Sequence, residues 1–142
     1  MAKAKELTVT IEDKPGSLGK CFRTLAARGV NILGFQSYVE EGESLSRFLV
    51  NDVPTAKAVL GELQMIFEVT DVAIVRVPNR PGELGLAASR LGEAKVNIDY
   101  SYCGVDPDSS MIILVFGVDS LTKAATVLDE FEAAESASRL SS

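Results

Sequence analysis

The residues best suited to chemistry form two short polar loops that share one pattern. The first loop reads Asp13-Lys14-Pro15-Gly16-Ser17-Leu18-Gly19, and the pattern returns 66 residues later as Asn79-Arg80-Pro81-Gly82-Glu83-Leu84-Gly85. Glycine lets a ligand approach the backbone closely, and free N–H groups at the start of a following helix favour a carboxylate. Each loop therefore has the chemistry of an anion-binding turn.

A second matched element accompanies each loop. It is the triplet Val30-Asn31-Ile32 in the first half and Val96-Asn97-Ile98 in the second. An asparagine amide can donate to a carboxylate or accept from an ammonium, whereas an ionised aspartate such as Asp13 only accepts. Donors and acceptors side by side suit a zwitterion. The alternative is that Pro-Gly only turns the chain and asparagine only caps it, but two loops with matching partners favour a ligand site.

The repeated pattern indicates that the chain of 142 residues contains two copies of one small fold. We place the first copy at residues 1–70 and the second at residues 71–142. A unit of roughly 65 residues buries only about 60% of its unfolded surface. Each copy is therefore expected to rely on the other copy or on a second chain.

Composition argues against several classes of function. The formal net charge of −6 and the pI near 4.7 argue against nucleic acid, whose phosphates require clustered Lys and Arg. The sequence has no histidine and two cysteines, too few for a metal cluster or a disulfide framework, so no metal and no cofactor is expected. Without a run of roughly 18 apolar residues or a signal peptide, the chain is expected to be cytoplasmic and away from membranes.

Hydrophobic periodicity predicts the elements that must position the two loops. Leu7, Val9 and Ile11 alternate as a strand, which the Pro-Gly pair ends. A helix follows, with Ser17 as its N-cap and Gly29 as its stop. The rest of the first half is predicted as strands at 32–39, 45–51 and 65–69 and a helix that begins at Pro54.

The second half repeats this order. Its strands are predicted at 72–77, 98–104 and 111–117. Its first helix carries Leu84, Ala87, Ala88 and Leu91 inward, and its second helix spans Leu121 to about Phe131. Residues 132–142 are rich in Ala, Ser and Glu and fit either a last strand or a longer helix. The βαββαβ order predicts an α+β protein of two ferredoxin-like repeats, each an antiparallel sheet with both helices on one face.

Two features bear on how the copies join. The run from Met111 to Phe116 is apolar on both alternating faces, which predicts a strand that the neighbouring repeat or a partner chain covers. Only Thr70 and Asp71 separate the strands predicted at 65–69 and 72–77, which is a hairpin length. We expect either a swapped hairpin, with the C-terminal segment completing the first repeat, or pairing with a second chain. A homodimer is expected in both cases.

These residues resemble the ACT domain, a small-molecule-sensing module attached to many enzymes of amino-acid metabolism. The likeness lies in (Asp/Asn)-x-Pro-Gly-x-Leu-Gly opening a helix after a strand, and in Val-Asn-Ile opening the next strand. It covers roughly residues 6 to 131, and the second copy is similar to the regulatory domain of phosphoglycerate dehydrogenase. The resemblance implies a tandem ACT protein without a catalytic domain.

The resemblance also implies where a ligand binds. In the family, an amino-acid effector lies at the interface of two ACT domains, between the first strand-to-helix loop of one and the start of the second strand of the other. The implied contacts are Asp13, Pro15, Gly16, Ser17, Leu18, Asn31 and Ile32, and Asn79, Pro81, Gly82, Glu83, Leu84, Asn97 and Ile98. Asp13 stands where the dehydrogenase-like pattern has asparagine, so the two sites are expected to differ.

The predicted function is a regulatory protein that binds a free amino acid or a close analogue. An enzyme of amino-acid metabolism is a possible partner. The alternative is an interaction module that docks on a separate metabolic enzyme and binds no ligand. Catalysis is disfavoured, because without histidine a nucleophile–base pair must use lysine or a carboxylate, and no spacing suggests one.

Overall fold

A computed structural model describes the backbone of residues 2–141 and the side chains of residues 2–138. The described chain contains β1 (Lys3–Ile11), α1 (Ser17–Ala27), β2 (Ile32–Glu40), β3 (Glu43–Val50), α2 (Val53–Glu62), β4 (Phe67–Val77), α3 (Glu83–Glu93), β5 (Ile98–Val105), β6 (Ile112–Val118) and α4 (Leu121–Ser141). These elements confirm the predicted α+β class. None of the described helices has the length and apolar character needed to cross a membrane.

The chain divides into two compact units, and the first of them is Lys5–Thr70. Its sheet has the ferredoxin-like strand order β4–β1–β3–β2. β3 lies between two antiparallel neighbours, with Phe48 opposite Leu7 of β1 and opposite Phe35 of β2. On the other edge of β1, the Thr10 N–H donates to the Ile66 carbonyl at 2.9 Å, next to the start of β4.

Both helices of the first unit pack on one face of its sheet. α1 buries Cys21 and Leu25, and α2 buries Ala56, Val59 and Leu60. These side chains form one core with the buried side chains of β1 and β3. The spacing of three and four residues is the helical periodicity from which these faces are predicted. The helices therefore hold the end of β1, and the loop that follows it, against a fixed core.

Positive backbone φ angles mark the turns of the first unit. α1 begins after Gly16, whose φ is +90°, so Gly16 is the N-cap and the prediction of Ser17 at this position is wrong. Gly29, with φ +79°, follows the last turn of α1, as predicted. The β2–β3 hairpin turns at Glu41 and Gly42, with φ of +51° and +80°, the paired positive angles of a tight two-residue turn.

The second unit contains the residues from 71 onward together with residues 2–4. Its β6 lies between β4 and β5, antiparallel to both. The residues from Ile113 to Phe116 are buried on both alternating faces, as predicted. Leu84 is 55% exposed, so the prediction that it faces inward is wrong. The buried stripe of α3 instead runs through Glu83, Ala87 and Leu91 at four-residue spacing.

β4 is one continuous strand of 11 residues. Thr70 and Asp71 lie in its middle, so the predicted two-residue hairpin between them is wrong. The bond between Thr10 and Ile66 also excludes the swapped strand, because the residues at the start of β4 complete their own unit. Neither Gly nor Pro interrupts this segment, and an extended backbone therefore continues through it.

The second unit ends in a helix and not in a strand. α4 has 21 residues and continues to Ser141, so residues 132–141 prolong the helix, while Ser142 lies outside the described residues. Alanine and glutamate, common in this segment, are good helix formers. The edge of β4 is instead occupied by the beginning of the chain: Ala2 is 2% exposed, and its carbonyl accepts from the Ile74 N–H at 3.0 Å.

Candidate functional site

The first Pro-Gly loop borders an open cleft of about 800 Å³ in the first unit. Its walls are this loop, the first two turns of α1, the β2–β3 turn and the connection from α2 to β4. A volume of this size is typical of small-molecule sites. Four of the predicted ligand residues, Asp13, Pro15, Gly16 and Ser17, line the cleft together.

The start of α1 leaves backbone donors without partners from its own helix. Among the described side chains, none caps the helix at Gly16. The Ser17 N–H donates to the Lys14 carbonyl at 3.3 Å and the Lys20 N–H to the Gly16 carbonyl at 3.0 Å. The N–H groups between them, of Leu18 and Gly19, belong to the first helical turn, where no intrahelical acceptor exists. The helix dipole adds to the attraction of this turn for an anion.

Charged side chains of both signs line the cleft. The acidic residues are Glu12, Asp13 and Glu43, and the basic residues are Lys14, Lys20 and Arg23. Lys14 Nζ lies 2.7 Å from the Glu12 carboxylate, and this hydrogen bond lowers the pKa of Glu12 and raises that of Lys14. Both groups are exposed, so the pair contributes little to stability. Balanced charges of this kind suit a zwitterionic ligand.

The two thiols differ in their surroundings. Cys21 lines the cleft but is buried, and burial raises the pKa of its thiol. A thiol of raised pKa is a poor nucleophile. Cys103 lies exposed on β5. Among residues 2–138, no three Cys, Asp or Glu side chains converge as metal ligands.

Asn31 and Ile32 lie at the far end of the first unit from its Pro-Gly loop, and the cleft lining includes neither of them. Ile11, before the loop, is opposite Ser44 at one end of β3, whereas Ile32 is opposite Val50 at the other end. Six residues of strand separate these ends by about 20 Å. The Asn31 N–H donates to the side-chain oxygen of Asn51 at 2.8 Å, and Ile32 packs on the core.

The second Pro-Gly loop has the backbone of the first and different side-chain contacts. Gly82 caps α3 with φ +93°, and Asn79, Pro81 and Gly82 are exposed. Glu83 is only 3% exposed, and its Oε1 lies 2.5 Å from Arg80 Nε. The Arg80 guanidinium also lies 3.4 Å from a carboxylate oxygen of Glu135 on α4.

Asn97 and Ile98 begin β5 as Asn31 and Ile32 begin β2. The Asn97 N–H donates to Asp119 Oδ1 at 3.0 Å, and its side-chain amide donates to Asp99 at 3.3 Å. Ile98 packs against the core of the second unit. Participation of these strand-start residues in ligand binding stays a prediction, as it does for all the predicted residues of the two loops.

Several cleft residues were not predicted from the sequence. Lys20 and Arg23 follow Ser17 at three-residue spacing, so helical periodicity could have placed them on the same side of α1. The cleft residues from Leu63 to Ile66 carry no comparable signal. They border the loop because the chain turns after α2, at Gln64 with φ +57°.

The first unit matches a known protein family. Residues 5–68 match the ACT domain, so the first unit is an ACT domain, as its sequence resemblance indicated. Among curated proteins, none matches the chain at the sequence level.

Solved structures extend the likeness along the chain. Protein BT0572 from Bacteroides thetaiotaomicron is 25% identical, with a TM-score of 0.80 over 92% of this chain and 90% of that one. The ligand-free regulatory subunit of aspartate kinase from Thermus thermophilus is 17% identical, with a TM-score of 0.59 over 91% of both chains. Aspartate kinase from Synechocystis is 20% identical, with a TM-score of 0.57 over 93% of this chain and 26% of that one. The last two show a shared fold alone.

Proposed function

We propose that this protein is an amino-acid sensor that binds a free amino acid or a close analogue in the first-unit cleft and performs no chemistry on it. The cleft of about 800 Å³ at the start of α1 carries the proposal. The α-carboxylate of the ligand binds the N–H groups of the first turn, because the helix dipole and the absent side-chain cap favour an anion there. Asp13 and Glu43 accept from the ammonium group.

We further propose that the second unit is a second ACT repeat and that the protein regulates an enzyme of amino-acid metabolism. A similar overall fold in a regulatory subunit of aspartate kinase supports a regulatory role. The absence of histidine from the sequence supports binding without catalysis.

A thermal-shift panel of the twenty amino acids and their 2-oxo analogues tests the ligand. A ligand that binds only the folded state stabilises it by about 2.7 kcal/mol at a hundred times Kd, which raises the melting temperature. The variant Ser17→Glu should abolish the shift, since it places a carboxylate where the ligand carboxylate binds. Ser89→Glu, an exposed serine of α3, is the matched control and should keep it. No shift with any compound would overturn the proposal.

The alternative is an interaction module that binds no ligand, and one surface feature favours it. Phe35 and Val39, four residues apart on β2, are 53% and 57% exposed. Exposed apolar residues on one strand face are typical of contact surfaces.

The same residues support the proposed homodimer. Light scattering on the wild type and on the Phe35→Ser and Val39→Ser variants tests the homodimer. A monomeric wild-type protein would exclude the homodimer.

A further inference from the structure

The two Pro-Gly loops have the same backbone but different surroundings. Their glycine caps have φ angles of +90° and +93°. The first main-chain bonds of their helices also match: Lys20 to Gly16 is 3.0 Å, and Leu86 to Gly82 is 2.9 Å. The difference between the loops must therefore come from side chains and from what packs beside them.

The chain beside each loop takes a different course. In the first unit α2 ends at Glu62, and the connection that follows forms one wall of the open cleft. In the second unit α4 continues past the corresponding point to Ser141. This extension brings Glu135 to 3.4 Å from Arg80, in the loop itself. A side chain of α4 thus contacts the second loop, whereas the connection after α2 borders the open cleft beside the first loop.

The second loop also carries its own carboxylate at the start of its helix. Glu83 occupies the position of Ser17 in the repeat, and it is 3% exposed. Its Oε1 is paired with Arg80, while its Oε2 is buried and has no hydrogen-bond partner among the side chains and backbone that the structure describes. A carboxylate in the first turn satisfies the preference of a helix start for an anion. The short Ser17 leaves that preference unmet in the first unit.

We propose that the C-terminal part of α4 is a built-in latch that closes the second Pro-Gly loop to ligand. Glu135 holds Arg80, Arg80 holds Glu83, and the Glu83 side chain fills the place of a bound carboxylate. Ligand binding is therefore confined to the first-unit cleft, at one ligand per chain. This stoichiometry rests on the proposed function, whereas the latch itself does not.

The two ion pairs of the latch can open one at a time, because they differ in solvent exposure. The Arg80 side chain is 54% exposed and that of Glu135 is 20% exposed, whereas that of Glu83 is 4% exposed. Exposed ion pairs are screened by salt, and buried ones much less. The Arg80–Glu135 contact should therefore open first, leaving Arg80 and Glu83 paired.

Hydrogen exchange tests the latch without any ligand. In Glu135→Gln, the amides of Arg80 and of residues 82–86 should exchange about two- to fivefold faster than in the wild type, the range expected for loss of one partly exposed ion pair. Residues 14–20, in the first loop, should be unchanged and serve as an internal reference. Glu130→Gln, an exposed charge on the same helix, is the matched control. Unchanged exchange of Arg80 and of residues 82–86 in Glu135→Gln would overturn the latch.

Calorimetry tests the closure, using the amino acid that gives the largest thermal shift. The wild type should bind one equivalent per chain, and Glu83→Ser combined with Glu135→Gln should bind two. Two equivalents in the wild type, or one in the double variant, would overturn the closure while leaving the proposed function intact. Absence of heat with every amino acid of the panel would overturn the proposed function and the one-ligand stoichiometry, while the exchange result would stand alone.

Discussion

The ring of Tyr100 lies directly against the backbone of Gly117, its partner on the adjacent strand. A Cβ placed on Gly117 would fall 2.1 Å from Tyr100 Cε1. In the first unit the corresponding cross-strand pair is Gly34 and Leu49, so each repeat combines a glycine with a larger residue, on opposite strands. In the second unit the Tyr100 ring fills this space and leaves no room for a side chain at position 117.

Gly117→Ala should therefore destabilise the protein by about 1–3 kcal/mol, the usual cost of overpacking. Urea unfolding of the variant measures this loss. In a Tyr100→Ala background, the same substitution should cost much less, because the ring that clashes with the new methyl group is absent. Equal costs in both backgrounds would contradict the steric explanation.

Asp52 should contribute to stability in a pH-dependent way. Its side chain caps α2, accepting from the Thr55 hydroxyl at 2.7 Å and the Thr55 N–H at 3.2 Å, and these bonds lower the pKa of Asp52. A lowered folded-state pKa means that the stabilisation is present above the unfolded pKa, near 4, and is lost as pH falls through the folded value. Asp52→Asn should thus lower the melting temperature at pH 7 and have a smaller effect at pH 3. Glu130→Gln is the control.

A substitution in the β2–β3 turn should increase the stability of the protein. Glu41 has a φ of +51°, a left-handed conformation that costs most residues about 1–2 kcal/mol and asparagine less. Together with Gly42, Asn at this position would form the preferred Asn-Gly two-residue turn. Glu41→Asn should raise the melting temperature, and Glu40→Asn, one residue earlier in β2, should not. Equal effects of both substitutions would point to charge as the cause.

The two thiols should react at different rates. Cys103 is exposed, whereas Cys21 is 2% exposed and burial raises the pKa of its thiol. A disulfide reagent should label the folded protein once, and Cys103→Ser should remain unlabelled until urea unfolds it. Mass spectrometry counts the labels. Rapid labelling of Cys21 in the folded Cys103→Ser variant would mean that the cleft opens more widely than the structure indicates.

Local patterns in the sequence determined most of the elements and the first loop. Spacing placed Cys21 and Leu25 on the inner face of α1, because a helix repeats its faces whatever packs against them. The Pro15-Gly16 turn likewise indicated where the chain reverses, and both residues line the cleft. These features depend on residues within a few positions of one another, and so they can be read directly.

Tertiary structure alone decided the features that join distant segments. Nothing near Ala2 indicates that it packs beside Ile74, and nothing near Thr70 distinguishes a hairpin from a continuous strand. The ambiguous segment 132–141 became a helix, and only its docking brings Glu135 to Arg80. Contacts of this kind depend on which surfaces of the close-packed core still need to be covered, and the spacing of residues along the sequence does not specify those surfaces.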